Sequence, residues 1–400
     1  MSAACETVPS FLDAWQSPQV GDAIGDVLGR RPRRIDLERT HFPSKRPVQL
    51  VLRAMMPDGR AYPILAEHCP EDPQGHAGRA RFSLAKSRNG QKTGLDETAI
   101  RVVESAGLVL RRPGLDERLP GLRLLHDPSF ARDRFQTVCG REPGNVEVEL
   151  VAHRLGKRAV LRLKSFESVI YARLRAIKSN DGQGRLALHC TLWNSLEGQS
   201  DLRIPEPLGA MPEIGASFFG VLPGSPPDFK AADGAATARA INALQALDPA
   251  GLPVHTGADE ARLLLDWLDR CQRWRPDIAT RVSPPMAQVC AALQRTDAPL
   301  RPCHRDLHEK QILISDGVAG LLDFDTLCLS DPALDAGNLL AHLFLAGLDE
   351  TALRSHLRDP GIALWRRAAL LRLAMIYAFT STPDPTLDRL IQEARIDARN

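Results

Sequence analysis

Hydrophobic and polar positions follow two different periods along this chain, and the change between them predicts its organisation. Near the amino terminus, the apolar-rich segments VQLVLRAMM and RAYPILAEHC flank a Pro-Asp-Gly turn, a pattern typical of a β-hairpin. Most of the rest of residues 1–144 is polar and rich in Pro, Gly and Arg. We therefore expect an accessory amino-terminal segment that contains a hairpin and ends near Gly144.

From Val146 the pattern is typical of consecutive short strands. The segments VEVELV, AVLRLKS and SVIYARLRAI follow one another, and the basic turn RLGKR separates the first two. A helix is predicted around RLALHCTLWNSL, and two further strands are predicted at IPEPLG and ASFFGVLPG. Residues 145–222 should therefore form a small domain built on an antiparallel sheet.

Beyond Pro223 apolar residues recur every three to four positions, which is the period of amphipathic helices. The segments with this period are DGAATARAINALQAL, ADEARLLLDWLDRCQRW, PPMAQVCAALQR, LDAGNLLAHLFLAG and ALWRRAALLRLAMIYAF. The sequence thus predicts an α+β protein in which residues 223–400 form the larger, helical domain.

Composition and charge narrow the class of protein without indicating an activity. The 51 Lys and Arg against 49 Asp and Glu give a net charge of +2, which offers no electrostatic reason to expect nucleic acid or a membrane as partner. No apolar run approaches the roughly 18 residues of a membrane span, and the amino terminus lacks a signal-peptide pattern. The eight cysteines include no C-x-x-C pair. We therefore expect a cytoplasmic protein, and its oligomeric state stays open.

One segment inside the helical half concentrates polar residues of chemical interest. It covers residues 304–325, and its apolar runs ILI and GLLDF flank an Asp-Gly dipeptide, which is a signal for a tight hairpin. Because the two ends of a hairpin lie side by side, Asp306 and Gln311 should converge with Asp323 and Asp325. Carboxylate and amide oxygens are ligands that Mg²⁺ prefers. The sequence therefore predicts a magnesium site at this end of the hairpin.

This segment resembles the aminoglycoside phosphotransferase and choline kinase group of small-molecule kinases, relatives of protein kinases. The loop HRDLHEKQ is similar to the family's H-G-D-x-H-x-x-N, DFD to its D-x-D metal motif, and SDPALD to its G-D-P-x-x-D segment. The resemblance implies a two-lobed protein-kinase-like fold over residues 146–400, with a small antiparallel-sheet N-lobe and a larger helical C-lobe. The accessory segment would precede it.

The resemblance also implies roles for the residues that match these motifs. Asp306 would be the catalytic base or the carboxylate that orients the attacking hydroxyl. Gln311 and Asp323 would be the Mg²⁺ ligands, and Asp325 a secondary group of the metal site. At the position of Gln311 the family usually has Asn, whose shorter side chain offers the same carbonyl oxygen.

The resemblance also implies which residues would support the catalytic loop and which would contact the nucleotide. Asp335 would be a buried acceptor that holds the catalytic loop, with His304 and His308 supporting it. ATP would lie between the lobes, and its contacts would come from Lys157, Arg158, Arg173, Phe219 and Val221. The family has a phosphate-anchoring Lys where this chain has Arg173, so Lys164 and Lys178 are alternative anchors, while His189 is the only titratable candidate partner in the following helix.

The function implied is an ATP- and Mg²⁺-dependent O-phosphotransferase that acts on a hydroxyl of a small molecule. The sequence does not identify the acceptor, which could be an aminoglycoside, a sugar or a choline-like metabolite, and Lys157 and Arg158 could simply be solvated turn residues. Acidic residues such as Asp259, Glu260 and Asp269 could attract a cationic acceptor or form an ordinary solvated helix face.

Two other classes of protein remain open. Arg173 and Gln311 depart from the family pattern, which would suit a pseudokinase-like nucleotide-binding or scaffold protein. The spacing of His304, Asp306 and His308 could instead belong to a metallohydrolase, although a third His or Cys at short spacing is missing from the pattern.

Overall fold

The computed structural model describes residues 10–86, 100–177 and 181–395, and its contacts divide the chain into two compact units. The first unit contains the described residues up to Gly182 together with Gly209–Phe218 and Phe379–Ser381. The second contains Gln183–Leu208, Phe219–Ala378 and the described residues from Thr382 onward. The predicted α+β class is confirmed, whereas the predicted boundaries after residues 144 and 222 remain a prediction.

The first sheet lies in the accessory segment and has the strand order β1-β2-β3-β5-β4. Its strands are β1 (Arg34–His41), β2 (Val48–Met55), β3 (Ala61–His68), β4 (Ile100–Val103) and β5 (Leu108–Arg111). The hairpin predicted from the sequence is confirmed, since β2 and β3 pair antiparallel from Val48 opposite His68 to Met55 opposite Ala61. Sequence analysis did not predict β1, whose RIDLERTH sequence is mostly polar because β1 is an edge strand.

Helices complete the accessory segment. They are α1 (Phe11–Ala14), α2 (Pro18–Leu28), α3 (Pro73–Lys86), α4 (Pro120–Leu124) and α5 (Pro128–Cys139). Helices α2 and α3 contact the β4 and β5 side of the sheet. The accessory segment is therefore a folded body with its own sheet, which is more structure than the single hairpin that the sequence predicted.

The second sheet contains the strands predicted from Val146 onward. They are β6 (Glu147–Arg154), β7 (Arg158–Lys164), β8 (Val169–Arg175), β10 (Pro207–Met211) and β11 (Ala216–Gly220). The two-residue strand β9 (Leu202–Arg203), which precedes β10 along the chain, belongs to another sheet. The order is β10-β11-β8-β7-β6. Helix α4 packs closely on it, because a Cβ at Gly121 would overlap the carbonyl oxygen of Ile214 and lie 2.9 Å from Leu174 Cδ2.

Helices dominate the second unit, as the apolar periodicity predicted. They are α6 (Asp181–Asn194), which starts just before this unit, α7 (Ala231–Ala246), α8 (Gly257–Trp274), α9 (Pro276–Leu293), α10 (Ala333–Ala346), α11 (Thr351–His356), α12 (Ile362–Tyr377) and α13 (Asp384–Arg395). Helix α9 starts earlier than the predicted segment and contains Pro284 and Pro285. None of the helices in the described residues has the combined length and apolarity that crossing a bilayer requires.

Short strands in the second unit position the polar segment. They are β12 (Arg301–Cys303), β13 (Ile312–Ser315), β14 (Val318–Leu321) and β15 (Cys328–Ser330). The predicted hairpin is confirmed: β13 and β14 pair antiparallel, and both turn residues, Asp316 and Gly317, have positive φ values of 53° and 72°. Strand β9 adds to this hairpin in parallel with β14, and β12 pairs with β15.

Candidate active site

The loop after β12 is fixed by the fully buried carboxylate of Asp335, in the first turn of α10. Its Oδ2 accepts the backbone N–H of His304 and its Oδ1 accepts that of Arg305, each at 2.7 Å. Burial raises the pKa of Asp335, and His304 and the two N–H donors only partly oppose this. Arg305 has a φ of 72°, a conformation that a non-glycine residue keeps only where its surroundings hold it. Asp335 therefore fixes the backbone that leads into Asp306.

His304 connects this loop to the segment that follows the hairpin. Its Nε2 donates to the carbonyl oxygen of Leu322 over 2.7 Å, and its own carbonyl accepts from Thr326 Oγ1 over 2.8 Å. The ring also packs on Phe324, with 4.9 Å between centroids. The Leu322 N–H in turn donates to the carbonyl oxygen of Gln311 at 2.9 Å. Both ends of the hairpin and the loop are thus joined by direct bonds.

The predicted catalytic and metal residues occupy this joined region. Asp306 is exposed, Asp323 and Asp325 are half-buried, and Gln311 is buried. Asp323 adopts a φ of 66°, in the left-handed region that Asp tolerates better than most residues. Gln311 Oε1 accepts the backbone N–H of His308 at 3.3 Å, so this side chain also supports the loop.

These donors fit a hard divalent cation. Mg²⁺ is usually held by one or two carboxylates together with substrate phosphates, and an amide oxygen has a second lone pair beyond one hydrogen bond. Asp323, Asp325 and Gln311 carry oxygens of these two types. In the part of the chain that the structure describes, no three His, Cys, Asp or Glu side chains come together as a metal-binding group. The metallohydrolase alternative, built on His304 and His308, therefore gains no support there.

The second histidine of the loop packs inward. The His308 ring lies 5.2 Å from that of His342, and burial lowers the pKa of His308 although Asp306 opposes this. Burial, with His308 nearby, lowers the pKa of His342 to about 3. These two rings therefore favour the neutral form at neutral pH, which suits packing beside the loop.

The predicted phosphate contacts lie in the first unit. Lys157 is exposed on the turn between β6 and β7, and Arg158 is half-buried where β7 begins. Arg173 is half-buried on β8, opposite Val160 of β7. Of the two alternative anchors, Lys164 is exposed at the end of β7 and Lys178 lies outside the described residues.

The predicted adenine contacts lie in the second unit. Phe219 is buried, and its ring packs edge to face on His189 at 4.9 Å between centroids. His189 Nε2 itself donates to the carbonyl oxygen of Pro205 at 2.7 Å. Val221 is 49% exposed and lines an open cavity of about 660 Å³ that Trp193 also lines. The Phe219 ring is therefore packed against His189 within the second unit.

Residues 192–371 match the phosphotransferase enzyme family. The matched range contains the loop with Asp306, the hairpin, Asp323 and Asp335, so the resemblance to the aminoglycoside phosphotransferase group that these motifs indicated is confirmed. No curated protein matches the chain.

The chain is similar to solved structures of phosphotransferases. A thermostable mutant of aminoglycoside phosphotransferase APH(4)-Ia matches with a TM-score of 0.50 and 15% identity, over 67% of this chain and 100% of that one. Its ternary complex with AMP-PNP and hygromycin B has a TM-score of 0.48 at 13% identity, over 66% and 99%. Macrolide 2′-phosphotransferase MphH from Brachybacterium faecium has a TM-score of 0.43 at 15% identity, over 67% and 100%. At 15% identity, the match with a TM-score of 0.50 shows similarity of fold and nothing more.

A buried ion-pair network supports the loop that carries Asp306, and the sequence pattern did not predict it. The Glu260 side chain is 1% exposed and pairs with His255 Nε2 at 2.9 Å and with Arg372. Arg372 also donates to Asn338 Oδ1, and Asn338 Nδ2 donates to the carbonyl oxygen of Leu307 at 2.9 Å. Glu260 is therefore neither a solvated residue nor an exposed attractor of cations.

The other two acidic residues considered with Glu260 are ordinary helix residues. Asp259 Oδ2 accepts the Thr256 N–H at 2.9 Å in the capping box that starts α8. Asp269 pairs with Arg273 on the surface. The sequence signal that could have separated Glu260 from them is its position on the same helical face as Leu264, which is buried.

We expect Glu260→Gln to destabilise the protein and to reduce its sensitivity to acid. Burial acts to raise the pKa of Glu260, but Arg372, His255 and Arg305 outweigh it and lower the pKa from 4.5 to about 2. The resulting stabilisation is complete above pH 4.5 and is lost as the pH falls toward 2. At pH 7 the variant should lose about 3 kcal/mol of the free energy of unfolding, measured with denaturant.

The matched control is Asp269→Asn, which removes an exposed carboxylate of the same helix and should change this free energy by less than about 0.5 kcal/mol. Identical acid dependence of Glu260→Gln and the parent between pH 4.5 and 2 would show that the network contributes nothing.

Proposed function

We propose that this protein is an ATP- and Mg²⁺-dependent O-phosphotransferase, which transfers a phosphoryl group from ATP to a hydroxyl of a small molecule. The observation that carries the proposal is the fastening of the loop at Asp335 and His304. These bonds join the loop that carries the exposed Asp306 to the segment after the hairpin, which carries Asp323 and Asp325. They support a site in which a base for an alcohol would act together with oxygen donors for a metal-bound phosphate.

The role proposed for Asp306 is to orient the attacking hydroxyl and accept its proton. Phosphoryl transfer depends mainly on positioning and on stabilising charge, because the loose transition state needs little covalent help from the protein. Exposure of Asp306 allows an acceptor to reach it, and the bonds to Asp335 keep its backbone in place before the acceptor arrives.

Asp323 and Gln311 are proposed to hold Mg²⁺, with Asp325 as a secondary group. When bound, the cation would neutralise charge on the phosphates of the nucleotide. Two carboxylates and one amide oxygen would hold the cation only in part, and phosphate and water would supply its other ligands.

Contacts to the phosphates of the nucleotide are proposed for the first-unit cations Lys157, Arg158 and Arg173. Arg173 would replace the family's Lys as the phosphate anchor, since a guanidinium can bind phosphate bidentately. A nucleotide as ligand is supported by the APH(4)-Ia complex, which holds AMP-PNP, and the acceptor class by its hygromycin B. Aminoglycosides, sugars and choline-like metabolites are the acceptors to test first.

A nucleotide-binding scaffold without turnover is the second candidate. It is favoured by two departures from the family pattern, Arg173 at the position of the phosphate-anchoring Lys and Gln311 at the position of the metal-binding Asn. Binding of ATP without transfer to any acceptor would support this candidate.

Asp306→Asn should lower turnover at least about 100-fold, because it removes the proton acceptor of the attacking hydroxyl. Affinity for Mg·ATP should stay unchanged, since Asp306 acts on the acceptor. The measurement is transfer from labelled ATP to a panel of hydroxylated metabolites and antibiotics, with calorimetry for nucleotide binding. Asp316→Asn, at the exposed hairpin turn, is the control. Equal turnover of Asp306→Asn and the parent would refute the role of Asp306.

Asp323→Ala should abolish the Mg²⁺-dependent part of nucleotide binding, because it removes a charge as well as an oxygen ligand. Gln311→Asn, the residue usual in the family, should be tolerated since the carbonyl oxygen is kept. Titration with ATP in the presence and absence of Mg²⁺ measures both effects. Stoichiometric zinc in the purified protein, with activity lost on its removal, would contradict the magnesium assignment.

A further inference from the structure

The turn between β6 and β7 is held by side chains of the accessory segment. Both polar backbone atoms of Gly156, in this turn, are bonded: its N–H donates to Asp116 Oδ2, and its carbonyl oxygen accepts from Arg46 Nη1 at 3.2 Å. Arg46 lies between β1 and β2, and Asp116 follows β5. All these residues belong to the first unit, so the contacts are internal to one compact body.

The Asp116 carboxylate is fully buried and accepts three hydrogen bonds. Its Oδ1 accepts the Arg118 N–H at 2.9 Å, and its Oδ2 accepts from His153 Nε2 at 2.9 Å as well as from Gly156. His153 Nδ1 accepts the Gly114 N–H at 3.2 Å, so the ring donates to Asp116 through Nε2. A buried carboxylate with several charge-assisted hydrogen bonds makes a rigid attachment, because no water can replace a bond that is broken and the free-energy cost of breaking it is therefore high.

Two observations favour glycine at position 156. Its φ is 64°, in the left-handed region. A Cβ there would also overlap the Arg46 guanidinium and lie 3.3 Å from Arg118 Cδ. The backbone of the turn and the accessory side chains therefore fit each other directly, with no space left between them.

The turn carries positive charge suited to a polyphosphate. Arg154 and Arg158 pair directly across β6 and β7, and Lys157 is exposed between them. The positive electrostatic field of these residues also reaches His41, on β1. The pKa of His41 is lowered to about 3, mainly by burial and further by Arg154 and other nearby cations. A cluster of positive charges such as this one favours the binding of an anion.

We propose that Asp116, with Arg46, is a positioning residue for the ATP phosphates: the accessory segment fixes the β6–β7 turn in the conformation that receives them. This inference rests on the proposed function. A turn ordered before binding loses less conformational entropy when the phosphates bind, so part of the affinity for ATP is provided by residues that do not touch it. The accessory segment is thereby a working part of the nucleotide site.

The test is calorimetric titration of the full chain with Mg·ATP and, separately, with adenosine, which lacks phosphates. Asp116→Asn should weaken Mg·ATP binding about tenfold, the size expected for a lost charge-assisted hydrogen bond, and leave adenosine binding unchanged. Arg46→Ala should act in the same direction, and Arg46→Lys should recover part of the loss because it keeps a donor. Asp72→Asn is the control, since Asp72 is an exposed residue of the same unit that accepts the Gly75 N–H at 2.8 Å.

Several outcomes would overturn the inference. Parent-like Mg·ATP affinity of both Asp116→Asn and Arg46→Ala is one, and an equal loss of ATP and adenosine affinity is another, because it would indicate a purely structural role. If Asp116→Asn does not fold, the half-buried Arg46 decides the question. Absence of Mg·ATP binding by the parent is a different failure: it refutes the proposed function, and the positioning role falls with it.

Discussion

The carboxylate of Asp335 accepts two consecutive backbone N–H groups, and the geometry of the candidate site depends on this pair of bonds. A fully buried carboxylate costs several kcal/mol unless donors surround it, so α10 and the loop cannot separate cheaply. The same bonds hold Arg305 at a positive φ, and this reversal of the backbone sends the next residue, Asp306, outward to solvent. Asp306, the proposed base, is thus exposed because the buried Asp335 fixes the backbone that precedes it.

Two further attachments make the loop rigid from other directions. His304 bonds to the carbonyl of Leu322 and so fixes the loop to the end of the hairpin. Behind the loop, the chain of contacts from Glu260 through Arg372 and Asn338 ends on the Leu307 carbonyl. Helix α10 therefore supplies two side chains that bond to the loop directly, Asp335 and Asn338, and α8 and α12 support Asn338 through Glu260 and Arg372. Such preorganisation is what a reaction governed by positioning requires.

The parts of the site that the sequence predicted are those set by local pattern. The hairpin could be predicted because the Asp-Gly turn and two apolar runs specify its register, and the register brings Gln311 beside Leu322. Glu260 was missed because its partners Arg372 and Asn338 are distant in sequence. The bond from Asp116 to Gly156 was missed for the same reason, since nothing in the local pattern of either residue specifies the other. The edge strand β1 was missed because its polar residues resemble a loop.

Binding of nucleotide is the property on which the whole account depends, and titration of the full chain with ATP, with and without Mg²⁺, measures it most directly. The arrangement of Asp323, Asp325 and Gln311 predicts saturable binding that is markedly tighter when Mg²⁺ is present. No detectable binding at millimolar nucleotide, with or without the cation, would contradict it.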